Sequence, residues 1–342
     1  MKKIIILLLL FFAAIESQAQ QASRNRPDRK PTVTSFDSLT MSDPFILADP
    51  ASHTYYLTGT GGSVWKSADL KQWKGPYKVT AIDTSSWMGP RPAIWAAEIH
   101  RYRNKYYYFA TFTNARVMID SIPLRYNIPR RASHILVSDK PDGPYKPVGK
   151  ENYLPENQAT LDGTFWIEDG KPYMIYCHEW LQAIDGMMDA TELKPDLSGP
   201  AGKPFSLFRA SDAPWVKEMN TIGEITYNKH IPGWVTDGPY LFKTKTGKLG
   251  MIWSSWSDKR YALGVAYSTT GKLKGPWKQE AKPLVSNNSG HGMIFKTFDG
   301  KLLMCLHYAT TVNGSGRSVR KPMLLQVDDS GDELKIIGPY KP

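Results

Sequence analysis

Cysteine is nearly absent: 2 residues of 342, Cys177 and Cys305, neither in a Cys-x-x-Cys pair. That excludes a disulfide framework, and it argues against a structural zinc site or a dithiol redox motif. Both thiols lie in apolar runs, Tyr173 to Cys177 and Leu302 to Leu306, and are expected as buried free cysteines. Long uninterrupted helical patterns are missing as well, since Gly or Pro breaks every candidate, and this argues for an all-β chain. Acidic residues are the minority, 32 against 43 Lys and Arg, for a formal charge of +11. The arginines are not interleaved with aromatics along any strand-like run, so a single-strand nucleic-acid binder is not expected and the charge is read as a solvated basic surface. What the chain has in quantity is 27 Gly, 25 Pro, 11 Trp, 18 Tyr and 12 Phe, and a hydrophobic fraction of 41% rules out disorder for its bulk.

Met1-Lys2-Lys3, the apolar run Ile4 to Ala14 and the polar stretch ending Ala19-Gln20 predict a signal peptide over residues 1–20. The run is too short for a permanent membrane span, and no cysteine follows it to carry a lipid. An exported protein of bacterial type, periplasmic or secreted and without a membrane anchor, is expected. Residues 21–36 read as a flexible leader, and 37–342 as a single domain, expected to be a monomer.

Within that domain one phrase recurs: a polar residue, an apolar run, a turn and a second apolar run. Its five copies begin at Ser42-Asp43-Pro44, Ala97-Glu98-Ile99, Leu161-Asp162-Gly163, Thr236-Asp237-Gly238 and Gly290-His291-Gly292. A second phrase, a Ser, a turn and then Trp or Tyr, appears as Ser67 to Trp73, Ser138 to Tyr145 and Ser268 to Trp277, with a weaker copy from Ser211 to Trp215. Two hairpins per unit make a four-stranded blade, and five units predict a five-bladed β-propeller. The first strand of each blade lines the channel, so Asp43, Glu98, Asp162, Asp237 and His291 are expected to converge at one end of the axis. A lone Asp is ordinarily a surface turn residue; five such groups at equivalent positions are not so easily dismissed, because clustered carboxylates repel and raise one another's pKa.

Paired carboxylates of unequal pKa are the machinery of glycosidic bond hydrolysis. Ser42-Asp43-Pro44, Trp95-Ala96-Ala97-Glu98, Leu161-Asp162-Gly163, Asp237-Gly238-Pro239 and Gly290-His291-Gly292 resemble, in order, the strand-start motifs of glycoside hydrolase family 43. The resemblance implies an inverting glycosidase that cleaves α-L-arabinofuranosyl, β-D-xylosyl or galactosyl linkages in plant cell-wall side chains. It implies Asp43 as the general base, Asp162 as the residue that orients the acid and raises its pKa, and His291 as a holder of a hydrated metal ion, often calcium. No organic cofactor is implied, and the partner is an oligo- or polysaccharide.

Asp237 departs from the family pattern, in which a glutamate usually precedes Gly-Pro. Its shorter side chain sets the proton donor back by about one bond, so Glu98 and Glu179 stay open as alternative acids. Trp95 and Trp234, each three residues before a strand-start carboxylate, are the expected sugar-stacking faces, ahead of Trp87, Trp180 and Trp256. Asn114 to His134, with Arg116, Arg125, Arg130 and Arg131, and Ile184 to Pro232 exceed the blade rhythm and read as long loops around the funnel. His178 and His307 are assigned to structure. Two rivals remain: a carbohydrate-binding propeller with a degenerate acid position, and a retaining fructan-cleaving propeller, which the absence of Asn-Asp-Pro-Asn at the first strand disfavours.

Overall fold

A computed structural model of the chain describes residues 30–122, 126–149, 152–219, 232–258, 260–311 and 318–342. Its strands form five antiparallel sheets. Blade 1 holds β1 (Thr32–Ser35), β2 (Phe45–Asp49), β3 (Thr54–Thr58), β4 (Ser63–Ser67) and β5 (Gln72–Lys78). Blade 2 holds β6 (Ala93–Tyr102), β7 (Lys105–Ile122), β8 (Tyr126–Ser138) and β9 (Lys146–Pro147). Blade 3 runs through β10 (Thr160–Glu168), β11 (Lys171–His178), β12 (Met187–Glu192) and β13 (Phe205–Arg209). Blade 4 comprises β14 (Asp237–Lys243), β15 (Leu249–Ser257), β16 (Arg260–Ser268) and β17 (Trp277–Gln279), and blade 5 comprises β18 (Ser289–Lys296), β19 (Leu302–Thr311), β20 (Ser318–Asp328) and β21 (Lys335–Tyr340). In blades 2 to 5 the strands pair in chain order from the innermost outward, the meander of a five-bladed propeller.

The core lies between blades. Each neighbouring pair shares an apolar cluster, and the cluster that joins Ile46, Leu57 and Trp73 of blade 1 to Phe295, Leu303 and Cys305 of blade 5 closes the ring. Fully burying one such side chain is worth about 1.5–3 kcal/mol, so closure draws on a belt of aromatics rather than on one bond. Cys177 and Cys305 are free and buried, as expected.

The second phrase is a turn held by its own residues. Trp73 Nε1–H donates to the Leu70 carbonyl, Trp277 Nε1–H to that of Leu273 and the Tyr145 hydroxyl to that of Pro141, each at 2.8 Å. The weak copy behaves differently: Ser211 to Trp215 follows β13 instead of linking the third and fourth strands of its blade.

Three expectations change. The leader expected over 21–36 is ordered at its end, where Thr32–Ser35 pairs with β5 as a fifth strand of blade 1 and Phe36 is buried against Trp73. Residues 1–29, including the expected signal peptide, lie outside the described residues, and among the described residues no helix is long and apolar enough to cross a membrane. Asn114 to His134 is a β-hairpin rather than a loop, with Asn114 opposite Arg130 and Asp120 opposite Ile128; Pro129, which has no N–H to offer a ladder, sits at its register shifts. Ile184 to Pro232 contains β12 and β13; residues 220–231, like Arg125, lie outside the described residues.

Candidate active site

The inner strands start with a repeated irregularity. In blades 2 to 5 two residues oppose one across the first hairpin, a β-bulge: Ala96 and Ala97, Asp162 and Gly163, Gly238 and Pro239, His291 and Gly292. The first residue of each bulge has a positive φ, 43° at Ala96, 55° at Asp162, 51° at Gly238 and 50° at His291, and Asp43 of blade 1 matches them at 58°. A non-glycine residue held there costs roughly 1–3 kcal/mol, and the bulge turns its side chain toward the axis.

This geometry corrects the expected alignment. Asp43, Asp162 and His291 are equivalent, but Ala96 and Gly238 occupy that position in blades 2 and 4. Asp237 stands one residue before it and Glu98 two residues after. The inserted bulge residue leaves no mark in the sequence, so an alignment on polar residues slips by one or two.

Four groups do converge. His291 Nδ1 lies 3.3 Å from Asp43 Oδ1, 3.5 Å from Asp237 Oδ1 and 3.8 Å from Asp162 Oδ2. Burial disfavours its charged form, but the three carboxylates outweigh burial and raise its pKa to about 10, so the ring is an imidazolium. Asp43 Oδ2 accepts from Thr60 Oγ1 at 2.5 Å. Below it, His307 Nδ1 accepts the Asp43 backbone N–H at 3.1 Å and is therefore unprotonated; burial pushes its pKa down to about 3, and its 3.4 Å approach to Asp43 Oδ1 is no ion pair.

Burial, and then the neighbouring Asp237, pushes the Asp162 carboxyl well above the usual range. Burial works against ionised Asp237 too, but close contact with Asp162, with the His291 ring and with the Tyr261 hydroxyl holds its carboxyl low. The Tyr261 hydroxyl donates to Asp237 Oδ2, and the Gly238 N–H donates to Asp162 Oδ2 at 3.1 Å. Two carboxyl groups in such contact cannot both ionise, so Asp162 and Asp237 act as a pair that holds one proton.

The other expected residues fall outside this cluster. Glu98 is buried lower in the channel, 2.6 Å from His100 Nε2 and accepting from Thr164 Oγ1 at 2.7 Å. Glu179 stands at the N-cap position of the helical turn Trp180–Ala183 without a side-chain capping bond and pairs, buried, with Arg131, which also donates to Thr113 Oγ1 at 3.0 Å. That guanidinium lies 4.0 Å over the ring of half-buried Trp95. Since β7 and β8 run on past the start of β6, their hairpin rises at the site's end of the channel; Ile119 and Ile128 pack with Trp180 and Leu181 of blade 3, forming a wall beside Trp95. Trp234, also half-buried, bridges Asp185 and packs on the core shared by blades 3 and 4. Sequence reasoning missed Thr60, Tyr261 and the part played by His307; for His307 a signal existed, its place opposite Gly290, next to His291, in a hairpin.

Asp162, Asp237 and His291 each offer a ligand atom, all within 4.8 Å of one another. Carboxylate oxygens with one imidazole nitrogen, once that nitrogen has given up its proton, fit a cation that keeps part of its water, since calcium takes 6–8 mostly oxygen ligands and three protein atoms fill only part of that shell.

The family model described as Glycosyl hydrolases family 43 matches residues 33–332. Among solved structures, an endo-arabinase from Bacteroides thetaiotaomicron is 33% identical with a TM-score of 0.72, over 90% of this chain and 96% of that one. A thermostable family-43 glycoside hydrolase is 23% identical with a TM-score of 0.66, over 90% and 96% of the two chains. An endo-1,4-β-xylanase from the same Bacteroides is 22% identical with a TM-score of 0.65, over 90% and 97%. The last two show the fold alone. No curated protein sequence matches the chain.

Proposed function

The chain belongs to glycosyl hydrolase family 43 and is a glycosidase, and from that premise we propose that it hydrolyses α-L-arabinofuranosyl linkages of plant cell-wall polysaccharide with inversion at the anomeric carbon. The observation that carries this reading is the convergence of Asp43 and the proton-sharing pair Asp162 and Asp237 on one nitrogen of His291. The similarity to an endo-arabinase at 33% identity favours arabinofuranosyl over β-D-xylosyl or galactosyl substrates.

Asp43, oriented by Thr60, takes a proton from the water that attacks the anomeric carbon. The pair's proton, held on Asp162 at rest, passes through Asp237 to the departing glycosidic oxygen, and Asp162 orients Asp237. The Oδ1 atoms of Asp43 and Asp237 lie near the same nitrogen and so stand at most about 7 Å apart, a bound that meets only the shortest of the 6.5–9.5 Å spacings of inversion, so inversion is carried by the family resemblance rather than by this distance. Glu98 and Glu179 are less suited to be the acid, each being buried in a pairing of its own. Trp95, stiffened by Arg131, is the better sugar platform; Trp234 is the second. A hydrated calcium would take the place of the proton on His291 Nδ1, held by that nitrogen and through its waters by the carboxylates, and its charge would steady them and the sugar hydroxyls in the imidazolium's stead.

Export to the periplasm or beyond agrees with a polymeric substrate of this kind. The deciding experiment is a screen of arabinofuranosides, xylosides and galactosides with wild type and Asp43→Ala. Release of arabinose by wild type, lost in the variant, is expected; turnover that survives Asp43→Ala would overturn the mechanism, and xylose as the only product would overturn the substrate.

A further inference from the structure

The five strand starts are tied to one another by a repeated bond, and the repeat is broken once. In four of the five blades the N–H of the left-handed residue donates to a side chain of the preceding blade; Thr111, Ser254 and His307 stand on the second strand opposite the residue before their blade's own bulge, and Thr60 of blade 1 lies two residues past β3. Ala96 N–H donates to Thr60 Oγ1 at 3.0 Å, Asp162 N–H to Thr111 Oγ1 at 2.7 Å, His291 N–H to Ser254 Oγ at 2.8 Å and Asp43 N–H to His307 Nδ1 at 3.1 Å. The pairing of Leu161 with Cys177 puts a thiol at this position in blade 3, where Thr111, Ser254 and His307 stand in blades 2, 4 and 5. A thiol sulfur is a weak acceptor. Cys177 is fully buried and its thiol is engaged with Thr236, while the amide it would otherwise receive, Gly238 N–H, donates to Asp162 Oδ2 at 3.1 Å.

We propose that Cys177 is a positioning residue: by withholding an acceptor where the other four blades supply one, it leaves the Gly238 amide to fix the Asp162 carboxyl against Asp237. The proposal rests on the reading above in which Asp162 serves hydrolysis. Four amides in the ring spend their proton on holding blades together; the fifth spends it on the acid's partner. The bond sets a carboxyl oxygen in place from a rigid backbone atom, which a side-chain donor on a flexible stem does less well.

The test inverts the usual ranking of substitutions. In Cys177→Ser the new hydroxyl is expected to capture the Gly238 N–H, as Ser254 captures that of His291, and to free Asp162. On the substrate that wild type cleaves, kcat falls by about 10- to 100-fold, the scale of an ångström-sized misplacement, with KM nearly unchanged. Cys177→Ala offers no acceptor, so kcat stays near wild type even though a buried atom is lost and Tm drops. A packing role predicts the reverse, with alanine worse than the nearly isosteric serine. The idea is overturned if the serine variant is as active as wild type, or if the alanine variant falls as far as the serine one. Should Cys177→Ser fail to fold, Cys177→Ala decides alone, since a large loss of kcat in a folded alanine variant contradicts the proposal. A crystal structure of either variant reads the Gly238 amide directly, and an amide still on Asp162 in the serine variant also contradicts it. Asp162→Asn separates the two failures: if it keeps full activity the functional reading itself falls, whereas if it is inactive and Cys177→Ser is not, only the role of Cys177 falls.

Discussion

Blades 3 and 5 put Asp162 and His291 at the left-handed position of the inner strand, whereas blades 2 and 4 put Ala96 and Gly238 there. The backbone is the same in all four, down to the bulge. What differs is where the polar group went: in blade 4 it moved one residue back, and Asp237 still reaches His291; in blade 2 it moved two residues forward, and Glu98 became a buried partner of His100 and Thr164. A ring of equivalent positions is thus not a ring of equivalent chemistry. The propeller supplies five places, and one or two residues of slippage decide whether a carboxylate meets the axis or the core.

The comparison breaks most sharply at Asp43. Asp43→Ala should lower kcat by roughly 10³-fold or more, at the upper part of what general-base catalysis contributes, with the fold intact by circular dichroism. Asp237→Ala should cost about 10²-fold on natural linkages and much less on aryl glycosides with a good leaving group; an equal loss on both would remove Asp237 from the acid's role.

Two further expectations concern histidines and carboxylates that the site does not use. His134, enclosed by Trp87, Phe112 and Tyr153, is held neutral by burial, with its pKa down to about 4. The unfolded chain takes up a proton there below about 6.5 and the folded one only below about 4, so stability falls as pH drops through that window and levels off beneath it. The full difference is about 3 kcal/mol, to be read as the gap between the pH-dependent unfolding curves of wild type and His134→Phe. Smallest is Glu98→Gln, expected to lose about 1–2 kcal/mol of stability through the bond to His100 while kcat stays close to wild type. A large loss of kcat without a loss of stability would return Glu98 to the catalytic set.

Much of the fold was legible because the blade repeat is written in residues with one structural job each: the Ser that opens a turn, the Trp or Tyr that ties it, the Gly between strands. Trp73, Tyr145 and Trp277 show this, each bonding back to its own turn. Asp43, Asp162, Asp237 and His291 were legible as a converging set for the same reason. The bulge was not, since an extra residue in a strand has no composition of its own. Neither was the support beneath the site: Thr60 follows its strand as one more threonine, and Tyr261 and His307 look like ordinary strand residues until the pairing of blades brings them to Asp43 and Asp237. The β7–β8 hairpin was hidden by its arginines and Pro129, which read as loop until their pairing across the hairpin is seen.

The most direct test of the account is a proton NMR time course of the anomeric signals released from an arabinan oligosaccharide by wild type and by Asp43→Ala. The account predicts that the first product is the inverted β-anomer and that Asp43→Ala releases almost none. A first-formed α-anomer, or unchanged release by the variant, would contradict it.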